Sequence, residues 1–282
     1  PSVYEIRGFW HETQSSKKLG YRNSDHYNLS ESMEIEVAKR ADYVFAITQA
    51  IADILIEYGI EKDKIGVLPN CVNSDDFKPM ERDSTLEEKY ELFNKVVIGY
   101  IGSFVEYEGL DILLDAVAMI RDRVGEYLKV ILVGDGPELT MVKKKATELG
   151  IDDLVIFTGR IPHNEVRRHY SVIDITPFPR RGRRVCELVS PLKPFEALAM
   201  GKTVVVSDVR ALSEIISDGE TGMVHEKDNA SDLAGCIEKL VLDHHLRESL
   251  GDKGREWVVN NRTWEMAGRI IETTHADLLK SH

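Results

Sequence analysis

Two kinds of apolar pattern alternate along this chain. Short, nearly continuous apolar runs, such as VVIGYIG at 96–102, suit strands that are buried on both faces of a sheet. Between them lie longer segments, such as 109–124, in which apolar residues recur every three or four positions and predict amphipathic helices. Strands that alternate with helices are typical of a doubly wound parallel sheet. We therefore predict an α/β protein.

The pattern divides into two units and a tail. The first unit, residues 1–78, has predicted strands at SVYEI, YVFAIT and KIGVLP, helices over 30–40 and 49–58, and a polar loop through His26. The turn-rich segment 70–79 reads as a linker, because Pro79 disfavours helix just before it. The second unit, 79–262, has strands at VVIGYIG, KVILVG, VIFTG, IDITPFP, TVVVSD and 223–224, and helices over 109–124, 138–149, 164–171, 194–200, 211–217, 228–242 and 245–260. The tail, residues 263–282, is predicted to contain one more amphipathic helix over 264–279.

Composition limits the functional classes. The 282 residues, 43% of them hydrophobic, are enough for one large or two medium domains. The net charge of -12 argues against nonspecific nucleic-acid binding. Three distant cysteines without CxxC spacing fit a cytoplasmic protein, and no apolar run approaches the roughly 20 residues that span a bilayer. Because PSVYEI reads as a buried strand from the first residue, we expect that an N-terminal portion is missing.

Ligands of doubly wound sheets bind beyond the carboxyl ends of the strands, so the loops that follow strands are candidate sites. Gly102 and Ser103 follow VVIGYIG, and a glycine there lets the backbone approach a phosphate closely. The GDGP turn at 134–137 is a weaker candidate, because these residues punctuate any strand-to-helix turn. Arg160 and Ile161 follow VIFTG, where backbone groups could pair with a base edge. The alternative for each loop is a plain turn without a ligand.

The segment ELVSPLKPFEALAMG at 187–201 is the most informative in the chain. Its helix start favours an anion, Lys193 adds a full charge, and Glu196 can accept hydrogen bonds from a ribose diol. The alternative is an ordinary capped core helix. Just upstream, RRGRR at 180–184 places four arginines together, which repel one another unless an anion is near. We expect Arg180 or Arg181 to meet the ligand; the alternative is a solvated basic loop.

A family resemblance rests on segments that occur in order: ADYVFAIT…YGI…KIGVLPNCVN, VVIGYIGSF…YEGLD, VILVGDGP, VIFTGRI, ELVSPLKPFEALAMGKTVVVSD and DGETGMV. The chain resembles the retaining glycosyltransferases of family four, also called group 1, over essentially its whole length. The resemblance implies a GT-B fold, in which two Rossmann-like domains face each other across a cleft. The N-terminal domain would be incomplete here, and the last helix would cross back to it.

The resemblance also implies roles for residues. Glu196 would bind the ribose, and the diphosphate and sugar would be held by Lys193 together with the backbone of Ser190, Pro191 and Leu192. The base would be framed by Arg160 and Ile161, and the phosphates would face Gly102 and Ser103. The sugar would be reached by Glu187 and Arg7, with His11 as an alternative to Arg7. Three positions depart from the family pattern. Glu187 lies nine residues before Glu196 instead of eight, and Ser103 and Glu108 replace a common basic pair, for which the arginines at 180–184 could compensate.

The implied chemistry moves a sugar from a nucleoside diphosphate to an acceptor hydroxyl with retention, and it needs neither a metal nor another cofactor. No convincing ligand cluster appears in the sequence: Asp75 and Asp76 fall in the linker, His163 and His169 are six apart, and we expect the histidines at the surface. UDP is favoured over GDP, because no acid that would read guanine is evident. The expected acceptor is a glycan or a lipid-linked glycan in cell-surface polysaccharide or glycolipid synthesis, with peripheral contact to the cytosolic membrane face.

Two rival classes are kept open. A nucleotide-sugar epimerase would use the same diphosphate site but needs acids around the sugar, and only Glu187 is placed for that role. A non-catalytic nucleotide-sugar-binding module would keep the fold without turnover. An NAD dehydrogenase is disfavoured, because GxGxxG is absent from the strand-to-helix turns.

Overall fold

A computed structural model describes residues 1–281 and contains two parallel sheets. The smaller sheet has the order β1-β2-β3, formed by β1 (Val3–Ile6), β2 (Tyr43–Ala46) and β3 (Ile65–Val67). The larger sheet has the order β6-β5-β4-β7-β8-β9. Its strands are β4 (Val96–Ser103), β5 (Leu128–Asp135), β6 (Val155–Gly159), β7 (Ile175–Phe178), β8 (Thr203–Ser207) and β9 (Met223–His225).

Helices connect these strands. They are α1 (Trp10–Ser15), α2 (Asp25–Arg40), α3 (Gln49–Glu57), α4 (Ser84–Tyr90), α5 (Leu110–Val124), α6 (Leu139–Glu148), α7 (Val166–Val172), α8 (Arg184–Leu188), α9 (Lys193–Ala199), α10 (Arg210–Ser213), α11 (Ala230–Leu242), α12 (His244–Asn261) and α13 (Trp264–Ser281). The predicted strands are all present. Three short helices, α1, α4 and α8, were not predicted, because five to seven residues are too few to show a helical period.

The loop predicted through His26 is wrong. Helix α2 begins at Asp25, five residues before its predicted start, because the Ser24 hydroxyl caps it by accepting a hydrogen bond from the Tyr27 N–H at 3.2 Å. The basic segment at 180–184 is also only partly a loop, since Arg184 is the first residue of α8.

The larger sheet carries the main core. Strands β4 and β5 are buried along most of their length, as their continuous apolar runs require, and α5 covers them with residues such as Leu113, Val117 and Ile120. Because β4 lies between β5 and β7, the order of the strands reverses beside β4. In doubly wound sheets this reversal opens a crevice for ligands at the carboxyl ends of the strands.

Side chains connect the two units. The Thr48 hydroxyl donates to the Leu188 carbonyl at 2.6 Å, and the Glu214 carboxylate accepts from the first N–H groups of α3, at Gln49 and Ala50, each at 3.0 Å. In α13, Ala267 is buried in a small cluster with Phe45 of β2. The C-terminal helix therefore lies against the smaller sheet.

Candidate donor site

A cavity of about 210 Å3 lies beyond the carboxyl ends of β4, β5 and β6, at the reversal of the strand order. It gathers residues from four segments that are distant in sequence, because parallel strands end at the same edge of a sheet. Five of the residues singled out in the sequence line it: Gly102, Ser103, Arg160, Ile161 and Lys193.

Two glycines shape this cavity. A Cβ on Gly102 would lie 2.3 Å from Lys193 Cε and 2.8 Å from the Tyr100 hydroxyl. Gly134 has a φ of +141°, and a Cβ there would lie 1.8 Å from the Gly102 carbonyl oxygen. A side chain at Gly102 would push Lys193 away, so the glycine allows the ammonium to lie directly over the end of β4.

Lys193 is the first residue of α9, and its Nζ lies 6.0 Å from the centre of the Tyr100 ring. Among the residues that the structure describes, its ammonium pairs with no carboxylate. The start of α9 also has no side-chain cap, because the apolar Leu192 stands at the N-cap. A full positive charge thus faces the cavity outside any ion pair, although it favours the ionised forms of the nearby Glu108 and Glu196 carboxyls, and this position suits a bound anion.

Glu196 lies in the first turn of α9, one turn from Lys193, and is partly exposed. The only hydrogen bond of its side chain within the described residues is a long one, 3.5 Å, from the Tyr170 hydroxyl. The pKa of Glu196 is raised, because the effect of burial exceeds the opposite effect of the Lys193 and His163 charges. The carboxylate keeps free lone pairs and can accept hydrogen bonds from neighbouring hydroxyls.

The segment before α9 is fixed by the first unit. Ser190 is buried, and its carbonyl accepts a hydrogen bond from Asn70 Nδ2 at 2.7 Å, while Asn70 Oδ1 accepts from Arg7. Arg7 also pairs with Glu5 at 2.5 Å. Pro191 and the exposed Leu192 complete the turn. Arg7 is therefore linked to this turn through Asn70, although it does not line the cavity.

Glu187 lies outside the cavity, in α8. One carboxylate oxygen accepts from the Arg210 N–H at 2.7 Å, and the other lies 2.8 Å from Lys227 Nζ. Its two oxygens thus bind the start of α10 and a lysine of the loop that follows β9. This arrangement does not support the catalytic role expected for Glu187.

Each of the arginines at 180–184 is paired with an acid, which gives no support to the expectation that Arg180 or Arg181 meets the diphosphate. Arg180 is buried, donates to the Val189 carbonyl at 2.8 Å and pairs with Glu108 at 2.9 Å. The other three pair with acids that the sequence pattern could not indicate: Arg181 with Asp111 at 2.5 Å, Arg183 with Glu106 at 2.7 Å and Arg184 with Glu12 at 2.7 Å.

The pair of Glu108 and Arg180 has an electrostatic consequence beside the cavity. Burial opposes the ionisation of Glu108, but the Arg180 guanidinium outweighs it and leaves the pKa of the carboxyl below its usual value. Glu108 stands where a basic residue was expected, and Arg180 neutralises it. The arginines at 180–184 were expected to replace the missing basic pair at the ligand. Arg180 instead neutralises Glu108.

The histidines are not all at the surface, as was expected. His11, His169 and His225 are buried, and burial lowers the pKa of each. His11 stacks on Phe9, so it does not face the cavity. Within residues 1–281, three potential metal ligands come together only at His244, His245 and Glu248, on the exposed start of α12.

None of the helices within residues 1–281 has the length and apolar character that a membrane crossing requires. This matches the absence of long apolar runs in the sequence.

Comparisons with known proteins identify the family. The model of glycosyl transferases group 1 matches residues 83–257, and that of glycosyltransferase family 4 matches residues 1–76. A GDP-mannose-dependent alpha-(1-6)-phosphatidylinositol monomannoside mannosyltransferase of Mycolicibacterium smegmatis is 30% identical over 209 residues, which cover 73% of this chain and 54% of that protein. The chain thus spans about half the length of this curated relative. The capsular polysaccharide biosynthesis glycosyltransferase CapM of Staphylococcus aureus is 28% identical over 99% of this chain and 70% of its own.

Solved structures agree on the fold. The crystal structure of Anabaena Alr3699/HepE in complex with UDP superposes with a TM-score of 0.84 at 20% identity, covering 98% of this chain and 72% of that one. A sucrose-phosphate synthase from Thermosynechococcus elongatus has a TM-score of 0.79 at 20% identity, over 99% and 68% of the two chains. The predicted α/β fold of GT-B type is confirmed. With its parallel sheets, its cavity at the strand reversal and these matches, the chain belongs to the glycosyl transferases group 1 family.

Proposed function

We propose that this chain binds a nucleoside-diphosphate sugar, with UDP as its nucleotide, in the 210 Å3 cavity and transfers the sugar to an acceptor hydroxyl with retention. The observation that carries the proposal is Lys193, whose ammonium forms no ion pair within residues 1–281 and lies over Gly102, where the missing side chain leaves room for it. A diphosphate is the group that such a charge and the neighbouring backbone N–H groups bind best.

The residues around Lys193 fit the other parts of a donor. Glu196 offers carboxylate oxygens to the two ribose hydroxyls, and the Arg160 and Ile161 backbone lines the far side of the cavity, where the base would lie. Ser190, Pro191 and Leu192 offer backbone groups at the start of α9. Arg7 reaches this turn through Asn70 and positions it.

The chemistry follows from charge. During transfer, the bond between the anomeric carbon and the diphosphate oxygen breaks, and that oxygen keeps the electron pair. A new bond forms to the acceptor oxygen, whose proton is released to water. Lys193 stabilises the charge that grows on the departing diphosphate more than it stabilises the ground state, so it lowers the barrier. The lysine supplies this positive charge, and the proposal therefore includes no metal ion or other cofactor.

The base and the setting of the reaction are part of the proposal. The UDP-bound neighbour supports UDP, whereas the GDP-mannose dependence in the name of the 30% identical relative makes GDP the second candidate.

Free, buried cysteines fit a cytoplasmic protein, and the capsular polysaccharide relative supports a role in cell-surface glycan synthesis with peripheral membrane contact. Glu187 is held by Arg210 and Lys227, which weighs against an epimerase.

Calorimetric titration with UDP, GDP and ADP tests the proposal. Lys193→Ala should weaken the preferred nucleotide about tenfold or more, since hydrogen bonds to charged groups contribute about 1.5–3 kcal/mol. Glu196→Ala should weaken it too, while Lys253→Ala, which removes an exposed lysine of α12, should not. Equal affinities in the Lys193 and Lys253 variants would contradict the proposed site. Binding without transfer to any glycan acceptor would favour a non-catalytic module.

A further inference from the structure

A second and larger cavity, of about 640 Å3, opens between the two units. One wall is formed by α1 and the segment that follows it, and the other by the segment 182–185 with Glu106. Five cationic side chains and two carboxylates line it, which gives an excess of three positive charges: Lys17, Lys18, Arg22, Arg183 and Arg184 against Glu12 and Glu106. This concentration stands out in a chain with a net charge of -12.

Both carboxylates of this basic cavity are already paired. Glu12 is only 3% exposed, accepts from the Tyr27 hydroxyl at 2.8 Å, and lies 2.7 Å from Arg184 Nε and 3.8 Å from Arg22 Nη2. Glu106 lies 2.7 Å from Arg183. The protein therefore uses its own acids to hold the arginines of the cavity in place.

Lys17 and Lys18 differ from these arginines. Both are exposed at the cavity, and neither ammonium pairs with a carboxylate in the part of the chain that the structure describes. The nearest recorded contact of Lys18 Nζ is the Tyr21 ring, 5.9 Å from its centre. The positive excess of the cavity thus belongs to two lysines that are free to contact a ligand, and the loosely paired Arg22 lies beside them.

The basic cavity adjoins the donor cavity. Ser103 lines the donor cavity and Glu106 lines the basic one, and three residues of extended chain span at most about 10 Å. Arg184, in the wall opposite Lys17, begins the helix α8 that leads towards Ser190 and Lys193. An acceptor that binds in the basic cavity therefore has only a short distance to bridge to a sugar in the donor cavity.

We propose that the basic cavity binds the acceptor, and that this acceptor is a glycan bearing a phosphate or diphosphate group that Lys17 and Lys18 contact. The inference rests on the proposed function, because it names the acceptor of that reaction. A phosphate carries more charge than a carboxylate and matches three excess positive charges better. The same chemistry is supplied by a soluble sugar phosphate and by a lipid-linked one.

The test separates this cavity from the donor cavity by working in the Lys193→Ala chain. Inorganic pyrophosphate and glucose 1-phosphate are titrated into that chain by calorimetry. Sedimentation with phosphatidylcholine vesicles that contain a polyprenyl phosphate, against vesicles of phosphatidylcholine alone, tests the lipid-linked form. Adding Lys17→Ala/Lys18→Ala should weaken binding about tenfold or more, because each lysine contributes a charge-assisted contact.

The matched control is Lys143→Ala/Lys144→Ala, which removes two adjacent exposed lysines from α6 and changes the net charge equally. Loss of binding in the Lys17/Lys18 variant but not in this control supports the proposal, and the probe that responds identifies the soluble or the lipid-linked source. No binding of any probe, or equal binding in the two double variants, overturns it. Nucleotide affinity with Lys193 intact is measured separately, so a failed donor site and a failed acceptor site are told apart.

Discussion

Removing the Arg180 side chain should destabilise the larger unit strongly. In the folded chain the Arg180 and Glu108 side chains are 7% and 6% exposed, and the guanidinium both pairs with Glu108 at 2.9 Å and donates to the Val189 carbonyl at 2.8 Å. Arg180→Met keeps a long apolar side chain but leaves a buried carboxylate without its partner. Breaking a buried pair on one side costs about 3–5 kcal/mol, so we expect a loss of that size in the free energy of unfolding.

The double variant Arg180→Met/Glu108→Gln is the matched comparison. It removes both charges, so no unpaired carboxylate is left, and it should recover about half or more of the lost stability. The assay is urea unfolding monitored by circular dichroism, with the midpoint and slope compared across the native chain and both variants. A loss below about 1 kcal/mol in Arg180→Met, or no recovery in the double variant, would refute a buried pair with this geometry.

The pH dependence gives the same test a second readout. The Glu108 carboxyl has a lowered pKa in the native chain, so its stabilising effect is present above the unfolded value of 4.5 and is lost as the pH falls through the folded pKa. In Arg180→Met the carboxyl is buried without its partner, so burial should raise its pKa. The gap in stability between the native chain and Arg180→Met should therefore narrow from neutral pH towards about pH 4.

Three further predictions concern other sites. Gly102→Ala should lower nucleotide affinity, but by less than Lys193→Ala, because its Cβ would lie 2.3 Å from Lys193 Cε and displace a flexible side chain that keeps its charge; an unchanged affinity in calorimetry would show that Lys193 is not held there. Burial lowers the pKa of Lys202 to about 8, so the folded chain releases this proton at a lower pH than the unfolded chain does. Between about pH 8 and 10 the native chain should therefore gain stability relative to Lys202→Met in urea unfolding. A stability difference that stays constant over this range would contradict the burial of Lys202. Glu214→Ala should cost about 1 kcal/mol, because it removes the acceptor of the Gln49 and Ala50 N–H groups while Thr48 still caps α3; the cost is measured against the exposed Glu220→Ala, and equal stability of the two variants would argue against this contact between the units.

The sequence predicts the strands and the long helices because their periods extend over many residues. It also predicts which loops meet: Gly102, Ser103, Arg160 and Ile161 each follow a strand, and parallel strands bring their ends to one edge. The close approach of Lys193 to Gly102 is not visible in the sequence, because it depends on how α9 packs against β7 and β8 of the folded sheet.

The partners of the arginines lay beyond sequence reasoning. Glu108 precedes Arg180 by 72 residues and Asp111 precedes Arg181 by 70, so only the folded chain shows that these acids satisfy the basic segment. The basic cavity was missed for a similar reason. Lys17 and Lys18 lie in a segment without a motif, and their meaning comes from the arginines that face them from the other unit.

The most direct test of the proposed site is a crystal structure of this chain with UDP bound. We expect a diphosphate oxygen within hydrogen-bond distance of Lys193 Nζ, over Gly102, and a ribose hydroxyl in contact with Glu196. A nucleotide seated elsewhere, or one in the cavity whose phosphates leave Lys193 without contact, would contradict it.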